Sequence, residues 1–251
     1  MKKKVLVTRA KEQAREFADL LEGFGFQPLI FPLIEFRSPK DKNKLEEGLG
    51  HISDCDWLLL TSANAVRFFI EGLKALGLSL SVIKGLSVCA VGPRTAEAAK
   101  KAGITIDLLP EKFQAEGVIR SFKKIGIQGQ KIFFPRAEEG REVLLYGLAN
   151  LGADVILVPI YRTVKPEGKE GDLKDLLHKG VDIITFTSGS TVRNFIEMLG
   201  NENLPLSQSV KIACISDVTA AVTREYGLKT DIIASKNTIQ SLAESISNYF
   251  T

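Results

Sequence analysis

The stretch Asp56–Phe69 reads DWLLLTSANAVRFF, and the stretch Asp182–Phe195 reads DIITFTSGSTVRNF. Each starts with an aspartate and a mainly apolar run, continues with Thr-Ser, and ends with apolar residues at helical spacing. A short apolar run followed by a hydroxyl-bearing cap and a helical pattern predicts a strand that leads directly into a helix. The chain therefore carries the same strand–helix unit twice, which indicates an internal duplication.

Further segments extend the duplication in the same order. They are VLVTRA at 5–10 with IFFPRA at 132–137, and AVGPRTA at 90–96 with CISDVTA at 214–220. The repeated unit is too long, and its copies are too few, for a solenoid. Continuous apolar strands that alternate with helices are typical of parallel sheets covered by helices on both faces. Because 251 residues suffice for two ordinary domains, we expect an α/β protein of two similar domains.

Composition excludes several classes of protein. A net charge of +3 is too small to indicate a nucleic-acid binder. No apolar run approaches the roughly 18 residues of a membrane-spanning helix, and the start MKKKVLVTR has too short an apolar stretch for a signal peptide. The widely spaced Cys55, Cys89 and Cys214 are typical of reduced, buried thiols in a cytoplasmic protein. We therefore expect a cytoplasmic protein with neither nucleic acid nor membrane as its partner.

Several kinds of site also lack their motif. The sequence has no P-loop, no Gly-x-Gly-x-x-Gly after a strand and no Gly-x-Ser-x-Gly. It has two histidines and no zinc-ligand spacing. We therefore expect neither a metal nor a nucleotide cofactor.

The candidate binding residues follow the predicted strands. In parallel sheets, ligands bind beyond the carboxyl ends of the strands, where helix N-termini offer backbone amides. The residues there are small, hydroxyl-bearing or arginine, a set that suits carboxylate or phosphate groups. They are Thr8, Arg9, Ser62, Ala63, Asn64, Gly92, Thr95, Arg136, Ser188, Gly189, Ser190 and Thr219. The alternative is that the hydroxyl-bearing members only cap helices; the recurrence of one chemistry at equivalent strand ends favours binding.

Arg9, Arg136 and Tyr161 each have two possible interpretations. Arg9 and Arg136 either clamp an anion or are surface residues of a first helical turn, where arginine opposes the helix dipole. Arg67 and Arg193, about one turn into their helices, are expected to face solvent. Tyr161 is either a half-buried aromatic or a phenol at the mouth of a cleft, able to donate a hydrogen bond or a proton.

Five short segments together resemble the uroporphyrinogen-III synthase family. They are VTRA at 7–10, LTSANAV at 60–66, AVGPRTA at 90–96, VPIYRT at 158–163 and FTSGS at 186–190. Each motif is short, but their order and duplication cover nearly the whole chain.

The resemblance implies an arrangement that the linear repeat does not show. One α/β domain is expected to combine residues 1–34 and 166–251, and the other to comprise residues 39–158. Residues 35–38 and 159–165 are then two connector strands that run side by side. The substrate is expected in the cleft between the domains.

The resemblance also implies an activity. Members of the family act as lyases on the linear tetrapyrrole hydroxymethylbilane, a small molecule with eight carboxylates. They close it to uroporphyrinogen III with inversion of ring D and loss of water, in porphyrin and heme biosynthesis, without cofactor or metal. We expect a monomer, compatible with a transient hand-over of substrate from hydroxymethylbilane synthase.

Carried over by position, the resemblance assigns residues to the cleft. Those expected to line it are Ser62, Asn64, Thr95, Ser188, Gly189 and Thr219. Tyr161 matches the tyrosine proposed to help the hydroxyl group leave. One segment departs from the family pattern, because Ser216-Asp217-Val218-Thr219 stands where a Gly-Pro-x-Thr turn is expected. The added acid and the missing glycine are expected to weaken carboxylate binding there.

Two other classes of function are compatible with a pair of α/β domains. One is a two-domain module that closes on a small anionic ligand by a hinge motion, and the other is a two-domain glycosyltransferase. Turnover of hydroxymethylbilane distinguishes the synthase from both.

Overall fold

The computed structural model describes residues 2–140, 142–200 and 209–250. The chain divides into two compact units, named here unit 1 (Met1–Phe36 with Val164–Thr251) and unit 2 (Arg37–Thr163). The two divisions fall inside the segments 35–38 and 159–165, which are the predicted connector strands.

Strands and short helices alternate along most of the chain. The strands are β1 (Lys4–Val7), β2 (Gln27–Ile30), β3 (Glu35–Arg37), β4 (Trp57–Leu60), β5 (Ser87–Ala90), β6 (Lys131–Ala137), β7 (Asp154–Val164), β8 (Ile183–Phe186), β9 (Lys211–Cys214) and β10 (Ile232–Ile233). The helices are α1 (Lys11–Gly23), α2 (Lys42–Gly50), α3 (Ala63–Ala75), α4 (Pro93–Lys101), α5 (Ala115–Ile125), α6 (Val143–Ala149), α7 (Glu170–His178), α8 (Gly189–Leu199), α9 (Asp217–Glu225) and α10 (Ile239–Phe250). Short 3-10 helices lie at Ile52–Asp54 and Leu80–Ile83.

Two five-stranded sheets organise these elements. One has the strand order β10-β9-β8-β1-β2 and the other the order β3-β7-β6-β4-β5. Strand β1 runs parallel to both β2 and β8, and β4 runs parallel to both β5 and β6. This architecture confirms the predicted fold class, parallel sheets flanked by helices.

The sheets interleave the two copies of the repeat. In the first sheet β9, β8, β1 and β2 lie in the order that β5, β4, β6 and β7 have in the second. Each sheet therefore takes two strands from the first copy and two from the second. Strand β1 pairs with β8 through Val5 and Ile183, so the N-terminal strand is completed by the C-terminal part of the chain.

Strands β1 and β8 are almost continuously apolar because both faces of their sheet are covered. In β1, Leu6 packs into a core that contains Phe186 and Phe195. Its neighbour Val5 points the opposite way, into a core with Phe17 of α1 and residues of α10. Alternate side chains of one strand thus fill two cores, as expected for a sheet between two helical layers. Among the described residues, no helix combines the length and hydropathy needed to cross a bilayer.

Candidate functional site

The strand ends of unit 2 bring one set of candidate residues to a common edge. Strands β5, β4 and β6 are parallel neighbours, so their carboxyl ends share that edge. Ser62 follows β4, Gly92 follows β5, and Arg136 is near the end of β6. The structure therefore places these three residues at the same edge of one sheet.

Ser62 begins helix α3. Its extended backbone makes it the N-cap, and its Oγ accepts a hydrogen bond of 3.0 Å from the amide of Ala65. The predicted capping role is confirmed. The next two residues, Ala63 and Asn64, start the helix and are exposed and half-buried respectively. Their amides lie in the first helical turn, where a helix favours an anionic ligand.

The Ser62 hydroxyl also meets the phenol of Tyr161. Its Oγ lies 3.4 Å from the Tyr161 Oη, and either atom can donate. Tyr161 lies inside β7, only 8% exposed, with its ring stacked on Phe68 of α3. The ring is more buried than the half-buried aromatic considered from sequence. A hydroxyl pair of this kind can pass a proton, because each oxygen both donates and accepts.

The turn after β5 presents a helix start of a different kind. Gly92 is the N-cap of α4 and Pro93 occupies its first turn, and no side chain of the described residues caps this helix. Thr95 follows in the same turn and is buried. A glycine N-cap leaves the helix amides open to a carboxylate from outside the helix. This turn therefore fits an anionic group better than a capped one.

Arg136 is not in a first helical turn, which corrects one of the two interpretations from sequence. Strand β6 continues to Ala137 because β7 is long enough to pair with it past Pro135. A register shift between Arg136 and Ala137 accompanies this extension. Arg136 is 9% exposed and lies close to Gly140, where a Cβ would come within 2.9 Å of the Arg136 Nη1. The guanidinium group is thus buried at the strand end rather than spread on the surface.

Unit 1 brings a second set of candidate residues to the ends of β1, β8 and β9. Thr8 is fully buried, and its hydroxyl donates a 2.6 Å hydrogen bond to the Thr185 carbonyl. The hydroxyl thus ties two strands together, and the expected contact between Thr8 and a ligand stays a prediction. Arg9 precedes α1 rather than lying in its first turn, and its Nη2 donates to Gln13 Oε1 at 3.2 Å.

Ser188 repeats the capping role of Ser62. It is the N-cap of α8, and its Oγ accepts from the Thr191 amide at 3.3 Å. The Ser190 hydroxyl lies 2.8 Å from the Ser188 hydroxyl, and Gly189 between them is also half-buried. Three small, partly accessible residues thus start this helix.

Thr219 lies in the turn that departs from the family pattern. Ser216 is the N-cap of α9, and its Oγ accepts from the Thr219 amide at 3.4 Å. The Thr219 hydroxyl is buried, 3.3 Å from that same oxygen. Asp217, at the exposed first position of the helix, adds a negative charge. A side-chain cap and an acid therefore stand where α4 has an open glycine.

The structure adds residues that sequence reasoning missed or misplaced. Phe68 stacks on Tyr161 with ring centroids 5.1 Å apart and an interplanar angle of 13°. Arg67 is partly buried, with its Cζ 4.4 Å from the Phe68 ring centroid, so the expectation that it faces solvent is wrong. Arg193 is exposed as expected. The only sequence signal for Phe68 is that its repeat counterpart, Asn194, is not aromatic.

The three cysteines are buried and unbridged, which confirms their predicted state. Burial raises the pKa of Cys89 to about 12 and that of Cys55 to about 11. Burial also raises the pKa of Cys214, although hydrogen bonds with Thr230 and Thr223 partly offset it. All three thiols are therefore protonated at neutral pH and poor nucleophiles. In the described residues no cluster of His, Cys, Asp and Glu has the arrangement of a metal site.

The fold and these strand ends define a two-unit α/β protein built from an interleaved repeat. The family model for "Uroporphyrinogen-III synthase HemD" matches residues 15–244. Uroporphyrinogen-III synthase of Synechococcus elongatus is 32% identical over 254 residues, covering 98% of this chain and 95% of that protein. The Chlorobaculum parvum uroporphyrinogen-III synthase is 32% identical over 234 residues, covering 92% of each. The chain belongs to the uroporphyrinogen-III synthase family.

Solved structures share the fold. A mutant uroporphyrinogen III synthase from the extreme thermophile Thermus thermophilus superposes with a TM-score of 0.63 at 21% identity, covering 100% of this chain and 99% of that one. Uroporphyrinogen-III synthetase from Helicobacter pylori gives a TM-score of 0.68 at 17% identity, with complete coverage of both chains. Family membership makes this protein a lyase-type cyclase of porphyrin biosynthesis.

Proposed function

We propose that this protein closes hydroxymethylbilane to uroporphyrinogen III, with inversion of ring D and loss of water, and needs no cofactor. Family membership over nearly the whole chain supports the reaction. The observation that carries the chemistry is the Tyr161 phenol, 3.4 Å from the Ser62 hydroxyl at a strand end. It supplies an acid beside a helix N-terminus, the combination that departure of a hydroxyl group from an anionic substrate requires.

Strand-end residues of both units hold the eight carboxylates of the substrate in this proposal. The open first turn of α4 offers amides behind Gly92, and the starts of α3 and α8 offer small residues beside theirs. Arg136 and Arg9 add positive charge at two further strand ends. Many separate contacts of this kind hold an extended anion without a strongly basic surface, which agrees with the small net charge of the chain.

The reaction begins when the hydroxyl group leaves the terminal methylene carbon of the bilane. In our proposal, Tyr161 protonates it, directly or through the Ser62 hydroxyl, so that water departs and a reactive, protonated azafulvene remains. Ring D then attacks this carbon through its substituted position and forms a spiro intermediate, which fragments and recloses. The ring loses one proton when its aromaticity is restored, which returns the proton that Tyr161 gave.

Most of the catalysis in this scheme is positioning. Unaided, the azafulvene closes on the nearer, unsubstituted end and gives the type I isomer. The protein has to orient ring D, a task that can contribute several orders of magnitude to rate. Assistance to the leaving group adds about 10²- to 10⁴-fold.

The experiment is an isomer assay with purified protein in the absence of added metal and nucleotide. Predominantly type III product, against type I in a control without enzyme, is the expected result. Product dominated by type I rejects the proposed synthase activity and leaves the binding-module alternative. Activity that appears only when a metal or nucleotide is added rejects the cofactor-independent mechanism.

We propose further that the protein acts as a monomer and receives its substrate from hydroxymethylbilane synthase. Light scattering during turnover tests the first statement. For the second, a coupled assay with the two enzymes shows less type I product than an assay to which the same amount of free substrate is added.

A further inference from the structure

A single helix approaches Tyr161 in two ways. The N-cap of α3, Ser62, places its hydroxyl 3.4 Å from the phenol oxygen. Further along the same helix, Phe68 lies nearly parallel to the phenol ring, with centroids 5.1 Å apart. Phe68 is 7% exposed and Tyr161 8%, so neither ring has much freedom to turn. Helix α3 thus fixes both the ring and the oxygen of Tyr161.

The fold does not require this aromatic pair. By the repeat, Phe68 corresponds to Asn194 on α8, and Tyr161 corresponds to Ile34. In unit 1 the Asn194 Nδ2 donates a 2.7 Å hydrogen bond to the Leu33 carbonyl. An amide bonded to the backbone therefore fills the place that the stacked rings occupy in unit 2. The same architecture forms with either solution, which leaves the aromatic pair available for a specific task.

The neighbouring phenylalanine on α3 shows what an ordinary core residue does at this point. Phe69 is fully buried, with its ring 6.2 Å from that of Phe133 on β6. It has no stacking contact with Tyr161 among the ring pairs described. Of these two adjacent and similarly buried residues, Phe68 is the one with a described stacking contact to the phenol ring.

We propose that Phe68 is a positioning residue for the reaction, holding the Tyr161 ring so that its phenol stays beside the Ser62 hydroxyl. This inference rests on the proposed role of Tyr161. The guanidinium group of Arg67, 4.4 Å from the Phe68 ring centroid, adds a cation–π contact that helps to hold Phe68 itself. Phe68 acts through the orientation of Tyr161 rather than on the substrate.

The first experiment measures kinetics of Phe68→Leu, which removes the stacking surface but keeps an apolar side chain. The expected result is a kcat lowered roughly 10-fold with KM changed less than about 2-fold, because a small displacement of a reacting group costs up to about 10² in rate. Phe68→Tyr keeps the ring and restores kcat. Phe68 borders a cavity of about 440 Å³, so its surroundings are not closed on every side. Failure of Phe68→Tyr to restore kcat, in a protein that melts normally, overturns the proposal.

The matched control is Phe69→Leu, the same change one position along the helix. It is expected to lower the melting temperature, since it opens a space in the core, and to leave kcat per folded molecule unchanged. An equal loss of kcat in both variants means that any damage to α3 slows the reaction, and it overturns a specific role for Phe68.

A double-mutant cycle separates positioning from an independent effect. If Phe68 works through the phenol, Phe68→Leu costs nothing further in a Tyr161→Phe background. Multiplicative losses in the double variant overturn the proposal.

A spectroscopic readout does not depend on the proposed function. In protein labelled with ¹³C-tyrosine, the ring signal that disappears in Tyr161→Phe belongs to Tyr161. Without substrate, Phe68→Leu is expected to shift this signal, since the stacked ring is gone, and Phe69→Leu to leave it unchanged. A signal unmoved by Phe68→Leu overturns the positioning contact. A shifted signal together with normal turnover of Tyr161→Phe instead rejects the acid role of the phenol.

Discussion

The two units solve the same structural problem with different chemistry at equivalent positions. In unit 1, Asn194 secures the chain after β2 by donating to the Leu33 carbonyl. In unit 2, Phe68 stacks on Tyr161, whose oxygen stays beside the Ser62 hydroxyl. The Asn194 amide is bonded to the backbone, whereas the Tyr161 phenol lies beside a second hydroxyl group with which it can exchange a proton. If Tyr161 has the proposed acid role, unit 2 is expected to carry the proton transfer and unit 1 to contribute mainly to binding.

The N-termini of the helices that follow β5 and β9 also differ between the two units. The glycine N-cap of α4 leaves its amides without a side-chain acceptor from the described residues. Ser216 caps α9, and Asp217 follows it at an exposed position. The same turn is thus open to an anion in unit 2 and already occupied by local groups in unit 1. Carboxylate binding is expected to be stronger at α4.

The variant Tyr161→Phe is the most direct test of the proposed difference between the two units. If the phenol assists departure of the hydroxyl group, turnover falls roughly 10²-fold, the low end for lost general-acid catalysis. Substrate binding changes less, because other residues hold the carboxylates. Single-turnover rates beside a thermal melt check both points. A rate within about threefold of wild type, with an unchanged melt, removes Tyr161 from the reaction.

Replacing the two equivalent N-cap serines tests whether the two units have different roles. Ser62→Ala and Ser188→Ala each lose one N-cap, a change worth about 1 kcal/mol of stability in either unit. Only Ser62 also meets the phenol, so Ser62→Ala is expected to lower kcat roughly 10-fold and Ser188→Ala mainly to raise KM. Denaturant unfolding provides the stability comparison and steady-state kinetics the functional one. Equal kcat losses in both variants contradict a division of roles between the units.

The smallest expected effect concerns the acid at the start of α9. Asp217→Asn removes a negative charge that repels a substrate carboxylate at a helix N-terminus, so KM is expected to fall about 2- to 5-fold with kcat unchanged. The melting temperature falls slightly, because the acid also stabilises the helix dipole.

Glu225→Gln is the matched control for that charge, since it neutralises an exposed acid at the other end of the same helix. It is expected to leave KM unchanged. If both variants lower KM equally, the effect comes from net charge and not from the turn.

Local sequence patterns were enough to predict those elements that depend only on neighbouring residues. The apolar run Trp57–Leu60 is a strand with the predicted bounds, and Ser62 and Ser188 cap the helices that follow their strands. A strand buried on both faces and a hydroxyl before a helix are short-range signals. The interleaving of the repeats has no such signal in the chain, and it was anticipated from family resemblance alone.

Other features depend on distant residues and were therefore missed or misplaced. Arg136 lies in a strand because β7, starting at Asp154, is long enough to extend the pairing to Ala137. Phe68 and Tyr161 stack although 93 positions separate them, and helical spacing marked Phe68 only as apolar. The burial of Thr8 follows from its bond to the Thr185 carbonyl, which lies on a strand from the other half of the chain.

The interleaved sheets affect the order in which the chain can fold during its synthesis on the ribosome. Unit 2 is continuous from Arg37 to Thr163, so all of its strands after β3 are made before β8, whereas β1 must wait for β8. Closing so long a loop costs entropy that grows with its length. Because β3 and β7 are neighbours in the same sheet, a folded unit 2 already holds the two exits of its chain side by side. Unit 2 thereby brings the two ends of its own segment together. This shortens the effective loop that must close before β1 can pair with β8.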